Sequence, residues 1–109
     1  MGAIKDGAYN ENQKNLALIA KAIGHPARVG ILQELGKQQN CQCGQLAETI
    51  GLAQSTMSQH LKELKYAGII KGSIDESKAC YCLSEDKLQE LVTFLQKIIE
   101  SENLKFATC

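Results

Sequence analysis

Residues 51–61 read Gly-Leu-Ala-Gln-Ser-Thr-Met-Ser-Gln-His-Leu, and this stretch decides how the rest of the chain is interpreted. Gly51 ends a short segment with helical apolar spacing at residues 45–50, and a second such segment runs from about Gln54 to about Ala67. Two short helices joined by a tight turn that contains glycine form a helix-turn-helix unit. The sequence therefore predicts such a unit here, with its second helix over residues 54–67.

The second helix of this unit starts with side chains that are short or able to form hydrogen bonds. Such groups reach base edges and phosphates when a helix enters the major groove, and lysines further along suit the phosphate backbone. We predict a DNA-binding surface formed by Gln54, Ser55, Thr56, Ser58, Gln59, His60, Lys62, Lys65, Lys71 and Lys78. The alternative is a merely solvated helix face, because residues 52–78 carry only four lysines against three acidic residues.

Helical spacing continues on the N-terminal side of this unit. A first helix is predicted from Asn10 to Ile23, and its inward face is expected to carry Leu16, Ile19, Ala20 and Ile23. Pro26 suits the first turn of a second helix, which ends near Gly36. Residues 1–9 show no periodicity and are expected to form a flexible N-terminus.

Strand and helix patterns follow on the C-terminal side. Residues 69–74 and 79–83 are predicted to form a hairpin around a turn at residues 75–78. Ser84 is expected to cap a last helix, whose wide apolar stripe covers residues 88–99. The predicted fold class is thus mainly α with a small β-hairpin, in one domain over residues 10–105.

Composition excludes several classes of protein. The chain has 109 residues, 44% of them hydrophobic, and its twelve basic residues balance twelve acidic ones. No apolar stretch approaches the ~20 residues of a membrane span, and the N-terminus lacks the apolar core of a signal peptide, so we expect a cytoplasmic protein without a membrane partner. There is no glycine-rich phosphate loop and no Cys-x-x-Cys motif, so we expect neither an enzyme nor an organic cofactor.

Five cysteines form the second chemical signal. Four of them make two Cys-x-Cys pairs, and residues i and i+2 of a strand point to the same side. If the segment before the third helix pairs with the hairpin, the pairs lie on one sheet and form a candidate site for a thiophilic ion such as arsenite, antimonite, zinc, cadmium or lead. The predicted metal ligands are Cys41, Cys43, Cys80 and Cys82. Cys109 stands apart and is expected to be a bystander.

Other interpretations of the cysteines stay open. The alternation of Cys80 and Cys82 with Tyr81 raises the possibility that the two pairs lie on opposite faces of the sheet. The cysteines could also be small buried hydrophobic residues. Finally, paired thiols in a compartment where structural disulfides seldom persist could act as a redox sensor through a disulfide or a persulfide bridge.

Residues 16–83 resemble the ArsR/SmtB family of winged helix-turn-helix repressors. The resemblance implies a homodimer built from the first and last helices, a recognition helix that carries the polar residues above, and a wing over residues 69–83. The sequence departs from the family pattern at Ala53, where the family usually has a Ser or Thr as the N-cap of the recognition helix. The match rests on residues 21–28, Ile31, Leu32, Leu46, Ala47, residues 51–61, Leu64, Ala67, Gly68 and Ile70.

The resemblance also suggests an inducer. Arsenite-responsive members carry a Cys-x-Cys near the start of the third helix, and Cys41-Gln42-Cys43 is similar but offset by one residue. The family's other common site needs a histidine on the last helix, and residues 84–105 have none. We therefore expect a repressor that binds double-stranded operator DNA and is released by arsenite or another thiophilic metal(loid). The alternatives are a redox- or persulfide-sensing repressor of the same fold, a thiol-disulfide oxidoreductase, or a metal-buffering domain.

Overall fold

The computed structural model describes residues 7–37, 42–43, 47, 50–74 and 79–101. The elements in chain order are α1 (Glu11–Ile23), α2 (Pro26–Gly36), β1 (Gln42–Cys43), α3 (Gln54–Tyr66), β2 (Ile70–Ile74), β3 (Ala79–Leu83) and α4 (Glu85–Ile99). Ala47 and Ile50, from the predicted first helix of the helix-turn-helix, have helical backbone. The predicted turn at residues 75–78 and most of the predicted flexible N-terminus lie outside the described residues.

Polar side chains fix the starts of α1 and α2. Asn10 and Gln13 form a reciprocal capping box: the Asn10 side chain accepts from the Gln13 backbone N at 2.7 Å, and the Gln13 side chain accepts from the Asn10 backbone N at 2.9 Å. His25 caps α2, because its Nδ1 accepts from the backbone N of Ala27 at 3.0 Å. Pro26 follows at the first helical position, as predicted.

The other two helices start without a side-chain cap. Ala53 precedes α3 in extended conformation and forms no cap hydrogen bond, as its methyl side chain requires. Ser84 does precede α4, but the prediction that it caps the helix is wrong in detail, since its side chain makes no cap hydrogen bond. Ser84 is buried at the end of β3, and its backbone N instead donates to the carbonyl of Ile69 at 2.7 Å.

One core joins α1, α2, α3 and the sheet. Its fully buried large side chains come from all of these elements: Ile19, Ile31, Met57, Leu64, Ile69 and Ile70. The predicted inward face of α1 is wrong at one position, because Ala20 is exposed and Ala22 is buried instead. Leu16, Ile19 and Ala22 recur at every third residue, so the buried stripe is set by how α1 crosses the core and not by the strict four-residue step.

The three strands form one antiparallel sheet in the order β1–β3–β2. The predicted pairing between the segment before the third helix and the hairpin is confirmed, with Cys43 opposite Cys80 and Gln42 opposite Tyr81. On the other side of β3, Gly72 faces Tyr81. Gly72 has a φ of +149°, and a Cβ there would collide with the Cys80 carbonyl, so only glycine allows this close approach of β2.

Helix α4 packs against α1 through one part of its surface. Lys87 Nζ donates to Asn15 Oδ1 at 3.1 Å, and Asn15 Nδ2 donates to Glu90 Oε1 at 3.1 Å. Leu88 and Leu91 are partly buried against the core. The remaining apolar side chains of α4 are exposed in this single chain, namely Val92, Phe94, Leu95, Ile98 and Ile99. None of the helices in the described ranges is both long and apolar enough to cross a membrane.

Candidate nucleic-acid interface and thiol site

The face of α3 that looks away from the core carries the predicted DNA-binding residues. Met57, Leu61 and Leu64 are buried, so the helix period turns the polar side chains outward. Ser58 and His60 are partly buried. The exposed residues of this predicted set are Gln54, Ser55, Thr56, Gln59, Lys62 and Lys65.

One predicted position beyond α3 and one further residue at the end of α3 extend this surface. Lys71 is exposed on β2, in the hairpin that follows the helix, whereas Lys78 lies outside the described residues. Tyr66, at the end of α3, has 78% of its surface exposed and was absent from the predicted set. An aromatic residue that directly follows Lys65 on the polar side of the helix was the signal that could have added it.

A cluster of His25, Arg28 and His60 connects α3 to the α1–α2 junction. Arg28 Nε donates to His60 Nδ1 at 3.1 Å, and Arg28 Nη1 donates to the carbonyl of Ala22 at 3.2 Å. The imidazole rings of His25 and His60 lie 4.5 Å apart, centroid to centroid, at an angle of 52°. Burial, followed by the positive potentials of His25 and Arg28, lowers the pKa of His60 below its ordinary value of 6.5.

Sequence reasoning missed the role of Arg28. His25 acts as a helix cap at the turn between α1 and α2, and His60 belongs to the predicted DNA-binding set. The structure shows that His60 makes a packing contact from the face of α3 that also carries the exposed polar residues. The contact between positions 28 and 60 crosses two helices, so no local pattern in the sequence could have shown it.

Two cysteines on β3, Cys80 and Cys82, alternate with a residue that faces the core. Tyr81 is buried, and burial raises the pKa of its phenol. Cys80 and Cys82, its neighbours on β3, are partly buried and both disulfide-bonded. This disulfide-bonded state corresponds to the redox alternative for these two residues and not to their role as free metal ligands. The Cys43 backbone lies directly opposite Cys80 in the register of β1 and β3.

The predicted metal site extends beyond the described part of the chain. Cys41 and Cys109 lie outside the described residues. Within the described ranges, no group of three or more His, Cys, Asp or Glu side chains is arranged to hold a metal ion. A thiophilic site that includes Cys41 and Cys43 therefore stays a prediction.

The chain is similar to known bacterial regulatory proteins. Residues 25–71 match the family described as bacterial regulatory protein, arsR family. The biofilm growth-associated repressor of Agrobacterium fabrum is 31% identical over 106 residues, which cover 95% of this chain and 90% of that protein. The chain belongs to the ArsR family.

Solved structures of other proteins support the same assignment. The chain resembles NolR from Sinorhizobium fredii with a TM-score of 0.64 and 28% identity, over 90% of this chain and 96% of that one. It also shares its fold with a homodimeric winged helix-turn-helix DNA-binding domain from Mycobacterium bovis, with a TM-score of 0.65 and 18% identity, over 100% and 99% of the two chains.

Family membership confirms the predicted fold class and the broad function. This ArsR-family chain is a DNA-binding transcriptional regulator with a winged helix-turn-helix fold, in which α3 has the position of the recognition helix and the β2–β3 hairpin that of the wing. The prediction that it is not an enzyme is confirmed by relatives that are named as transcriptional regulators and repressors.

Proposed function

We propose that the protein is a homodimeric, cytoplasmic repressor that binds a pseudo-palindromic operator and is released by chemistry at its cysteines. The observation that carries the DNA-binding part is the outward face of α3, where hydrogen-bonding side chains and two lysines lie together and exposed. Short polar groups at the start of the helix suit base edges, and Lys62, Lys65 and Lys71 suit phosphates. A repressor among the relatives supports the direction of regulation.

The exposed face of α4 supports the dimer. Val92 and Ile99 expose 54% and 59% of their surfaces, and Phe94, Leu95 and Ile98 continue the same apolar face. Burial of the exposed half of such side chains contributes roughly 0.8–1.5 kcal/mol each to an interface, so a second copy of this helix is a fitting partner. Two recognition helices related by a two-fold axis would read half-sites about one DNA turn apart, roughly 34 Å.

Arsenite is the first candidate inducer. A trivalent metalloid prefers soft thiolate ligands, and Cys41, Cys43, Cys80 and Cys82 offer a donor set of sulfur only. Cys80 and Cys82 must be reduced before they can serve as ligands, because both are disulfide-bonded in this structure. This candidate therefore applies to the reduced protein.

Oxidation of the same thiols is the second candidate, and the disulfide-bonded state of Cys80 and Cys82 favours it. We infer that Cys43 is the partner of Cys80, because its backbone lies directly opposite and such residues of antiparallel strands have Cα atoms about 4.5–5.5 Å apart, within disulfide reach. Residues i and i+2 of one strand are about 6.6 Å apart at Cα, at the limit of that reach, which disfavours a bond between Cys80 and Cys82.

The oxidation step balances with a peroxide as the oxidant. One thiolate attacks a peroxide oxygen, the O–O bond breaks, and a sulfenic acid forms while hydroxide leaves. The thiolate on the opposite strand then attacks the sulfenic sulfur, so that the S–S bond forms and a second hydroxide departs. The two cysteines lose two electrons in total, and the peroxide gains them.

The sheet connects this chemistry to the DNA-binding surface. Cys82 lies opposite Lys71 in the β3–β2 register, so a covalent change on β3 reaches a residue predicted to contact phosphate on the wing. A link between β1 and β3 would also fix the wing relative to the segment that leads into the helix-turn-helix. Coupling between two such sites is typically 1–3 kcal/mol, or about 5- to 150-fold in DNA affinity.

Gel shift with a duplex from immediately upstream of the coding sequence tests the arsenite proposal. We expect the reduced wild type to bind in a salt-sensitive manner and to be released by arsenite. The Cys41→Ser/Cys43→Ser variant should bind equally well and ignore arsenite, and Cys109→Ser is the matched control that should still be released. Full release of the double variant would exclude Cys41 and Cys43 as ligands, and absence of wild-type binding would contradict the repressor itself.

A further inference from the structure

We propose that Arg28 and His25 are positioning residues for His60, which they hold as a neutral N–H donor on the recognition helix. This inference rests on the proposed function, because it assigns His60 a hydrogen bond to an acceptor atom of the operator. The observation behind it is the hydrogen-bonded cluster that joins α3 to the junction of α1 and α2.

Arg28 determines which ring nitrogen of His60 carries the proton. A guanidinium keeps its charge and has only donors, so the His60 Nδ1 that accepts from Arg28 Nε must present a lone pair. In the neutral ring the single proton therefore sits on Nε2. The second donor of Arg28 is bound to the Ala22 carbonyl in α1, which fixes the guanidinium and, through it, the orientation of the His60 ring.

His25 restrains the ring from a second direction. Its own Nδ1 is occupied as acceptor from the backbone N of Ala27, so the ring is held at the start of α2 while it packs against His60. A protonated His60 would stand between this histidine and the Arg28 guanidinium, and it would lose the lone pair that Arg28 requires. Among the described residues of α2 and its N-cap, Arg28 and His25 are the charged or titratable groups that act on His60. The contribution of α1 is indirect, because its Ala22 carbonyl accepts a hydrogen bond from Arg28.

A neutral N–H donor on His60 would recognise the DNA through the direction of its hydrogen bond and not through charge. An imidazole N–H with a fixed ring can donate to an acceptor on a base edge or to a phosphate oxygen, without releasing a counterion as an added lysine would. The two acceptors differ in their consequences. A base contact makes the loss of affinity depend on the sequence of the duplex, whereas a phosphate contact weakens binding to all sequences alike.

Operator affinity of matched variants tests the positioning role. The probe is a fluorescent duplex from immediately upstream of the coding sequence, with a scrambled duplex beside it, and anisotropy is read at pH 7.5. We expect His60→Ala to weaken binding about 5- to 50-fold, as the loss of one good contact does. Arg28→Lys should weaken it to a similar extent despite its retained charge, because an ammonium lacks the fork that holds two acceptors. The double variant should then be no weaker than His60→Ala.

The same set of variants would reveal a direct phosphate contact by Arg28, if that is its role. If Arg28 contacts phosphate directly, Arg28→Lys retains most of the affinity, the two effects add, and Arg28→Gln lowers the salt slope by about one. Each of these results would overturn the proposal. Gln33→Ala, on an exposed position of α2, is the control that should bind like the wild type.

Imidazole NMR gives a readout that does not need DNA. We expect the Nε2–H tautomer for His60 and a pKa below 6.5, and we expect this pKa to rise in Arg28→Gln because a positive neighbour is removed. An unchanged titration of His60 in Arg28→Gln would overturn the positioning role. If this result holds but the wild type fails to bind the upstream duplex, the repressor proposal fails while the geometry of the cluster stands.

Discussion

Single side chains decide where the recognition helix begins and how it is held. At Ala53 the backbone adopts the extended conformation of an N-cap, but the methyl group accepts no hydrogen bond. Two turns further on, His60 accepts a hydrogen bond from Arg28 on another helix. The first feature could be predicted from the sequence, since the cap position follows from local spacing. The second could not, because residues 28 and 60 meet only after α2 packs against α3.

Replacement of Ala53 by serine should stabilise the protein. A serine hydroxyl at an N-cap accepts from a backbone N–H of the first turn, so Ala53→Ser is expected to raise the free energy of unfolding by about 1 kcal/mol. Chemical denaturation of the reduced protein measures this change. Ala20→Ser, at an exposed position inside α1, is the control and should lower stability slightly. A fall in stability for Ala53→Ser would show that the start of α3 is not limited by its cap.

The protonation of His60 should make stability depend on pH below 6.5. Its pKa is lowered in the folded chain, chiefly by burial and then by His25 and Arg28, so the unfolded chain takes up the proton first. The contribution is fully present above pH 6.5 and is lost as the pH falls through the folded-state value. We expect the wild type to lose more stability than His60→Gln between pH 7.5 and pH 5. Parallel curves for the two proteins would contradict this account.

At the scale of elements, the helices, the hairpin and the pairing of β1 with the hairpin were predictable, whereas the strand register and the way the helices cross were not. Pro26 marks a boundary through its own backbone, and Met57, Leu61 and Leu64 fix the inward face of α3. The choice of Ala22 over Ala20 depends on how α1 crosses the core. The pairing of Cys43 with Cys80 depends on a register between strands far apart in sequence, which the Cys-x-Cys spacing alone leaves open.

The exposed face of α4 leads to a prediction about assembly. Leu95→Glu places a charge in the middle of the apolar face, where 46% of the leucine surface is exposed in the single chain. Burial of an unpaired carboxylate is unfavourable, so we expect a shift from dimer to monomer in analytical ultracentrifugation and at least tenfold weaker operator binding. Lys97→Glu, on the same helix, is a charge-changing control for the folded state. A Leu95→Glu dimer as tight as the wild type would place the interface elsewhere.

At the scale of the whole molecule, the balance of twelve basic and twelve acidic residues sets the character of DNA binding. A chain without net charge gains little from non-specific attraction, so in the proposed complex discrimination comes from the α3 surface and from symmetric binding by two copies. In the proposed mechanism, the cysteines act on a surface that is only modestly attractive to DNA. A change of 1–3 kcal/mol at the wing is large on that scale, which is why a small covalent event in the β1–β3 sheet can control occupancy.

The proposal that the cysteines control DNA binding is tested most directly by the affinity for operator DNA in the reduced and oxidised states of the thiols. Fluorescence anisotropy with the upstream duplex would compare wild-type protein that is reduced, oxidised by hydrogen peroxide, and reduced again with dithiothreitol. We predict tight binding when reduced, a loss of about 5- to 150-fold on oxidation, and recovery on reduction, with Cys80→Ser/Cys82→Ser binding equally in all three conditions. Equal affinity of the wild type in all three states, or the same loss in the variant, would contradict the claim that these cysteines control DNA binding.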